Sequence, residues 1–178
     1  MDKQETFHIA PLETGDTKSL SKLMITNAER FKRYFPKTLS SNLTLEATER
    51  YIESKIIEFE IKSGFTFAIK ENETQNIMGL VILKKVDWQT KQAEIAYCIG
   101  KEYERKGWVT KAVKAISNYA FNELNLEILQ IIAHKTNLAS IKVAENNGFV
   151  WQRTLVDEFT PTYELSLDME LYEYTNEK

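Results

Sequence analysis

Residues 101–113 read KEYERKGWVTKAV, with four cations, Lys101, Arg105, Lys106 and Lys111, gathered around Gly107 just where the pattern turns helical. The first N–H groups of a helix have no internal acceptor and sit at the positive end of its dipole. A helix mouth with cations beside it therefore suits a phosphate or pyrophosphate. An ordinary solvated helix end has the same composition, so this stretch alone decides nothing. Cys98 is the only cysteine. It shares a strand face with Glu94, but four residues along a strand separate them by ~13 Å, and no histidine is placed beside it. A small buried thiol is expected there rather than a nucleophile. His8 and His134 stand far apart without CxxC or HxxxH company, so no metal site is expected.

The background to these residues is acidic: 23 Lys and Arg against 26 Asp and Glu in 178 residues, a net charge of −3. That balance argues against a general nucleic-acid binder, which shows a basic excess. Hydrophobic residues make up 43%, enough for a packed core, and the length suits one domain over residues 1–178. A lone cysteine allows no internal disulfide and fits a reducing, cytoplasmic setting. The opening MDKQETFHIA has no apolar run of the signal-peptide kind, and no stretch approaches the ~20 apolar residues of a membrane span. No membrane partner is expected, and the oligomeric expectation is a monomer or homodimer.

The elements that must hold these residues follow from periodicity. TFHIAPL (6–12) reads as a short strand stopped by Pro11, and Asp16 as the cap of a helix carrying Leu20, Leu23, Met24, Asn27 and Phe31. Pro36 breaks that helix. Thr44 caps a second helix with Ile52, Ile56 and Phe59 on one face, which glycine ends near Ser63-Gly64. FTFAIK (65–70) and IMGLVILKKVDW (77–88) flank the turn ENETQN as a hairpin, and KQAEIAYCIG (91–100) is a third strand. On that strand Ile95, Tyr97 and Ile99 share one face, and Glu94, Ala96, Cys98 and Gly100 the other. From Gly107 the period is helical, with Val109, Ala112, Val113, Ile116 and Ala120 in one stripe. LEILQIIAH (126–134) is an apolar strand. NLASIKVAENNGF is a short helix with Asn137 near its start and Gly148 as a left-handed stop. TYELSLDMELYEY alternates, placing Tyr163, Leu165, Leu167, Met169 and Leu171 on one side. The order β-α-α-β-β-β-α-β-α-β-β predicts one mixed-sheet α/β domain.

Strand, YERKGWVTKA, helix, strand, then NLASIKVAENNGF resembles the GNAT superfamily of N-acetyltransferases, and within it the RimJ/RimL-type branch that acetylates N-terminal amines of ribosomal proteins. The likeness spans nearly the whole chain in element order and about residues 91–150 in motif. The family's phosphate loop, Gln/Arg-x-x-Gly-x-Gly/Ala, falls on Glu104, Gly107 and Val109, with Thr110 following; only Gly107 matches strictly. Asn137, Ser140, Glu145, Gly148 and Phe149 all stand where the branch has them, and DMELY (168–172) is similar to its closing strand.

The resemblance implies a fold, a cofactor and a reaction. The fold is α/β, an α+β mixed sheet: a central, mostly antiparallel sheet with a splayed parallel strand pair (91–100 beside 126–134) and flanking helices. The cofactor is acetyl-CoA as acetyl donor, with no metal. Its pyrophosphate would meet Arg105, Lys106, Gly107, Trp108, Val109 and Thr110. Its pantetheine arm would lie against backbone at Tyr97, Cys98 and Ile99, with Asn137 nearby. The reaction is acetyl transfer to a primary amine, of a protein N-terminus such as that of a ribosomal protein or of a small molecule. Glu94, at the branch's AEIAY position, would take the amine's proton. Many relatives carry a thiolate-protonating tyrosine where this chain has Ala144, leaving Ser140 as the nearest hydroxyl for the sulfur. The loop RFKRYFPKTL would lie over the acceptor. The non-enzymatic alternative is a CoA- or acyl-CoA-binding domain of the same fold.

Overall fold

The computed structural model describes residues 6–176. One seven-stranded sheet runs through it. Its strands are β1 (Phe7–Pro11), β2 (Phe65–Glu71), β3 (Ile77–Asp87), β4 (Gln92–Ile99), β5 (Ile128–Ala133), β6 (Val150–Phe159) and β7 (Leu167–Thr175), in the order β1-β2-β3-β4-β5-β7-β6. Every pairing is antiparallel except β4 with β5. That ladder covers only Gln92–Glu94 against Ile128–Gln130. Beyond Glu94 the two strands diverge, which is the expected splay.

Helices fill both faces. The first helical region is broken into α1 (Thr17–Thr26), α2 (Ala28–Phe31) and α3 (Pro36–Ser40), followed by α4 (Leu45–Glu60). Pro36 starts α3 rather than merely ending what precedes it, because its fixed φ and missing N–H suit the first helical position. With β3 and β4, α1 and α4 enclose a core of Leu20, Met24, Ile52, Leu80 and Cys98. On the other face lie α5 (Trp108–Asn122) and α6 (Leu138–Asn146), over Ile95, Val113, Ile116, Leu129 and Phe149. The alternation along β4 is as the sequence predicts: Ile95 joins the α5 core and Cys98 the α1/α4 core.

Thr44 caps α4 as expected, its Oγ1 accepting the Ala47 N–H at 3.1 Å. Asp16 does not cap α1. Its carboxylate is buried and pairs with the equally buried Lys70 at 2.8 Å while accepting the Glu13 N–H, because an unpaired buried ammonium is far costlier than an open cap. After α4 the left-handed residue is Lys62 (φ 58), not Gly64. Tyr163 and Leu165 are exposed in the turn before β7 rather than on its inner face, because the alternating strand begins only at Leu167.

Candidate active site

The splay opens a cavity of about 440 Å³ between β4 and β5. Glu94 and Tyr97 of β4, Asn137 just before α6, Ser140 of α6, and Tyr34 of the α2–α3 loop all line it. Of the predicted site residues, Glu94, Tyr97, Asn137 and Ser140 therefore meet in one cleft, and residues 34–38 of the RFKRYFPKTL segment line it too. Tyr34 stacks on His134 (centroids 6.5 Å apart) and lies 6.1 Å from Phe159, while Arg33 pairs with Glu164 at 2.9 Å. These contacts hold the loop against the β6–β7 hairpin.

Asn137 caps α6, its Oδ1 accepting the Ser140 N–H at 3.2 Å. This places Ser140 in the first turn, facing β4. The Tyr97 hydroxyl meets it there, 2.9 Å from the Ser140 carbonyl and 2.8 Å from Oγ. Burial pushes the Tyr97 phenol up to about 12, against the lowering effect of the Ser140 hydrogen bond, so it stays protonated at any working pH. One tyrosine thus bridges the gap that the diverging strands leave.

Glu94 is buried to 7% exposure, with both oxygens engaged: Oε1 with Lys84 Nζ at 2.8 Å and Oε2 with Lys85 Nζ at 3.0 Å. The Glu94 hydrogen bond is the largest cause raising the Lys85 ammonium above the ordinary lysine value. Cys98 is close by in sequence but belongs elsewhere. Its side chain is buried in the α1/α4 core, and burial pushes its thiol up to about 12, leaving no thiolate for nucleophilic chemistry. Only its backbone borders the splay.

Below the cleft, β4 passes through Gly100 and a single 3₁₀ turn into α5. Arg105 (φ 60) and Gly107 (φ 74) are both left-handed, and Gly107 is the N-cap of α5, whose first N–H groups, at Trp108, Val109 and Thr110, have no acceptor within the helix. A Cβ built on Gly107 meets nothing within 4 Å, so the space beside this residue is open. Lys106 does not reach over it; its ammonium sits 4.7 Å from the Trp108 ring centroid and 5.6 Å from that of Tyr103.

Several residues that hold the site lay outside the sequence reading. Arg30 of α2 pairs with Glu104 and donates to the Ile99 carbonyl at 3.3 Å. Asn27 Oδ1 accepts the Lys101 N–H at 2.9 Å, and Asn147 Nδ2 donates to the Thr110 carbonyl at 3.1 Å, tying α6 to the first turn of α5. At Gly79 a Cβ would lie 2.3 Å from the Cys98 carbonyl oxygen, so only glycine lets β3 run this close to β4. The one available signal was charge: Lys84 and Glu94 are direct cross-strand partners, and hairpin counting reaches that pair. A second concavity of about 390 Å³ lies over Asp16 and Lys70, whose buried charges already satisfy each other.

The family model described as the acetyltransferase (GNAT) domain matches residues 7–150. The chain belongs to the GNAT acetyltransferases. It is 31% identical over 154 residues to YdaF of Bacillus subtilis, assigned by name as a ribosomal N-acetyltransferase, covering 82% of this chain and 79% of that one. Over 81 residues it is 36% identical to spermidine N(1)-acetyltransferase of Escherichia coli, which covers 46% of this chain and 44% of the relative. Among solved structures, a ribosomal L7/L12 α-N-protein acetyltransferase in complex with coenzyme A superposes with a TM-score of 0.88 at 14% identity, over 97% of this GNAT chain and 95% of that one. At that identity the likeness speaks for the fold. The GNAT assignment makes the protein an acetyltransferase, in place of the non-enzymatic alternative. No described helix is long and apolar enough to cross a membrane, and no described cluster of His, Cys, Asp and Glu has a metal-holding arrangement.

Proposed function

We propose that this GNAT protein transfers an acetyl group from acetyl-CoA to a primary amine, and that the amine is a protein N-terminus of the kind the ribosomal-protein acetyltransferases modify. The observation that carries the reading is that the half of β4 left unpaired by β5 leads, one 3₁₀ turn later, into the N-terminus of α5. Acetyl-CoA supplies an electrophilic thioester. Along this half of β4, the backbone of Tyr97, Cys98 and Ile99 has no β5 partner, which suits the amide groups of a pantetheine arm. At the helix start the N–H groups of Gly107 through Thr110, with Arg105 and Lys106 alongside, suit a pyrophosphate. The open space beside Gly107 is the room such a group needs.

In this reading the protein contributes mostly geometry, which by itself removes much of an acyl-transfer barrier. A backbone N–H near Tyr97 or Cys98 polarises the thioester carbonyl. Glu94 accepts the proton of the attacking amine, directly or through water, and the Ser140 hydroxyl donates a hydrogen bond to the departing sulfur. A thiol with pKa ~8.5 leaves without a strong acid, so Ala144 in place of a tyrosine is tolerable.

The test is release of free thiol from acetyl-CoA over a panel of amines, followed by Glu94→Gln. The carboxamide keeps the shape but cannot take the proton, so kcat falls by roughly 10²–10⁴-fold with acetyl-CoA affinity retained. The variant regains rate as pH rises and the amine arrives already neutral. An equal fall at every pH would assign Glu94 to positioning, and no fall would return it to a structural ion pair.

A further inference from the structure

Two consecutive lysines on a strand should point to opposite faces, yet Lys84 and Lys85 hold the same carboxylate. Lys84 does so by register, as the direct cross-strand partner of Glu94. Lys85 does so because the β3–β4 ladder breaks between Lys84 and Asp87 and Lys85 itself is left-handed, at φ 51. Non-glycine residues rarely adopt that conformation, and β-bulges serve to re-aim side chains beside active sites. A buried carboxylate needs one counter-charge, and here a local irregularity of the strand supplies a second. Both ammonium groups lie on the cavity wall and remain partly open to solvent, with side chains 45% and 65% exposed.

The other charged groups around the cavity leave that surplus standing. Lys37 of α3 adds a cation and Glu158 of β6 an anion. His134, following β5, is tied to Thr136, whose Oγ1 lies 2.7 Å from its Nδ1. Arg33 and Glu164 at the rim neutralise each other. Lys37, Lys84 and Lys85 therefore face Glu94 and Glu158, three cations against two anions.

We propose that Lys84 and Lys85 select the acceptor: an α-amine followed closely by acidic groups, with polycationic amines turned away. This rests on the N-acetyltransferase reading above and names its acceptor class. The charge on the cavity wall carries it. A carboxylate near the acceptor amine takes up the surplus ammonium charge, whereas a polyamine adds charge to a cationic mouth. The preference for an α-amine follows from the amine itself, which must be neutral to attack. At pH 7 about one α-amine in seven is neutral, against about one lysine-type amine in 2,500.

The experiment measures kcat/KM by thiol release for peptides sharing one N-terminal residue, followed by either acidic or lysine residues, with spermidine as a third acceptor. The wild-type protein is compared with Lys84→Gln, Lys85→Gln and Lys85→Glu; in each single variant Glu94 keeps one lysine, and an acetyl-CoA-induced thermal shift verifies the fold. The expected result is an acidic-peptide preference of about tenfold or more that shrinks with added salt, weakens in both glutamine variants and reverses in Lys85→Glu. Parity, or preference for the basic peptide or spermidine, overturns the proposal while leaving the transferase reading intact. An acidic preference untouched in all three variants overturns the assignment to the lysines. Absence of thiol release with every one of these amines, despite an acetyl-CoA-induced thermal shift, removes the transferase reading and the acceptor class with it.

Discussion

Replacing Gly107 with alanine imposes two costs that a suitable control separates. At φ 74 the new Cβ is strained wherever it points, although it meets no atom within 4 Å. Left-handed backbone costs an L-residue roughly 1–2 kcal/mol, and in a domain of this size each kcal/mol lowers Tm by about 2–4 °C. The ligand-free variant should therefore melt roughly 2–8 °C below wild type. The second cost exists only if the open space beside Gly107 receives a pyrophosphate. At an acetyl-CoA concentration of ~100 Kd, binding stabilises the native state by about 2.7 kcal/mol, and a tenfold weaker Kd halves that to about 1.4 kcal/mol. Gly148→Ala is the control. It is left-handed too, at φ 82, and its Cβ would make only an ordinary 3.7 Å contact with the Tyr174 ring. Both variants should lose similar stability without ligand, and only Gly107→Ala should lose about half of the acetyl-CoA-induced shift. Scanning calorimetry with and without acetyl-CoA reads both quantities. Equal ligand-induced shifts in the two variants would refute the helix mouth as the anion seat.

Two further outcomes follow from the cleft. Tyr97→Phe should lower kcat severalfold without weakening acetyl-CoA binding, and combining it with Ser140→Ala should cost little more than Ser140→Ala alone, because the two hydroxyls act as one bonded unit; fully additive losses would separate their roles. Cys98 should resist thiol reagents until the protein unfolds. Its thiol ionises near 9.0 when unperturbed and only at about 12 in the fold, so the stability it contributes is complete below pH 9 and lost as pH climbs toward 12. Denaturant melts from pH 7 to 11 should show Cys98→Ala losing less stability over that range than wild type, and identical slopes would sink the point.

The central strands were legible because both period and alternation are strong there: β2, β3 and β4 carry long apolar runs around a polar turn, and their alternation sorts Ile95 from Cys98 without ambiguity. Gly148 and Thr44 behave as their types dictate, because the local chemistry at those positions has no tertiary competitor. Asp16 shows the opposite case. A capping residue on local grounds, it is claimed by Lys70, 54 positions away in a strand whose register no helix pattern reveals. The candidate site was readable only as positions on single elements. That Tyr97 meets Ser140, or that Arg30 meets Glu104, depends on how α6 and α2 pack against β4, and periodicity carries no such information.

Glu104 and Val109 stand where the family's phosphate loop has other residue types, yet the loop geometry accommodates both. The Glu104 carboxylate turns away to Arg30, whose guanidinium also binds the Ile99 carbonyl, so the charge is compensated and the loop is laced to α2. Val109 packs half-buried against the α5 core instead of crowding the mouth. What an anion would meet is then the backbone N–H groups of residues 107–110, whose direction is fixed by the left-handed turns at Arg105 and Gly107 and by Asn147 holding the Thr110 carbonyl. Recognition through main chain constrains side chains weakly except where backbone conformation itself demands a residue. Gly107 is that residue here, and it is the one strict match the loop retains.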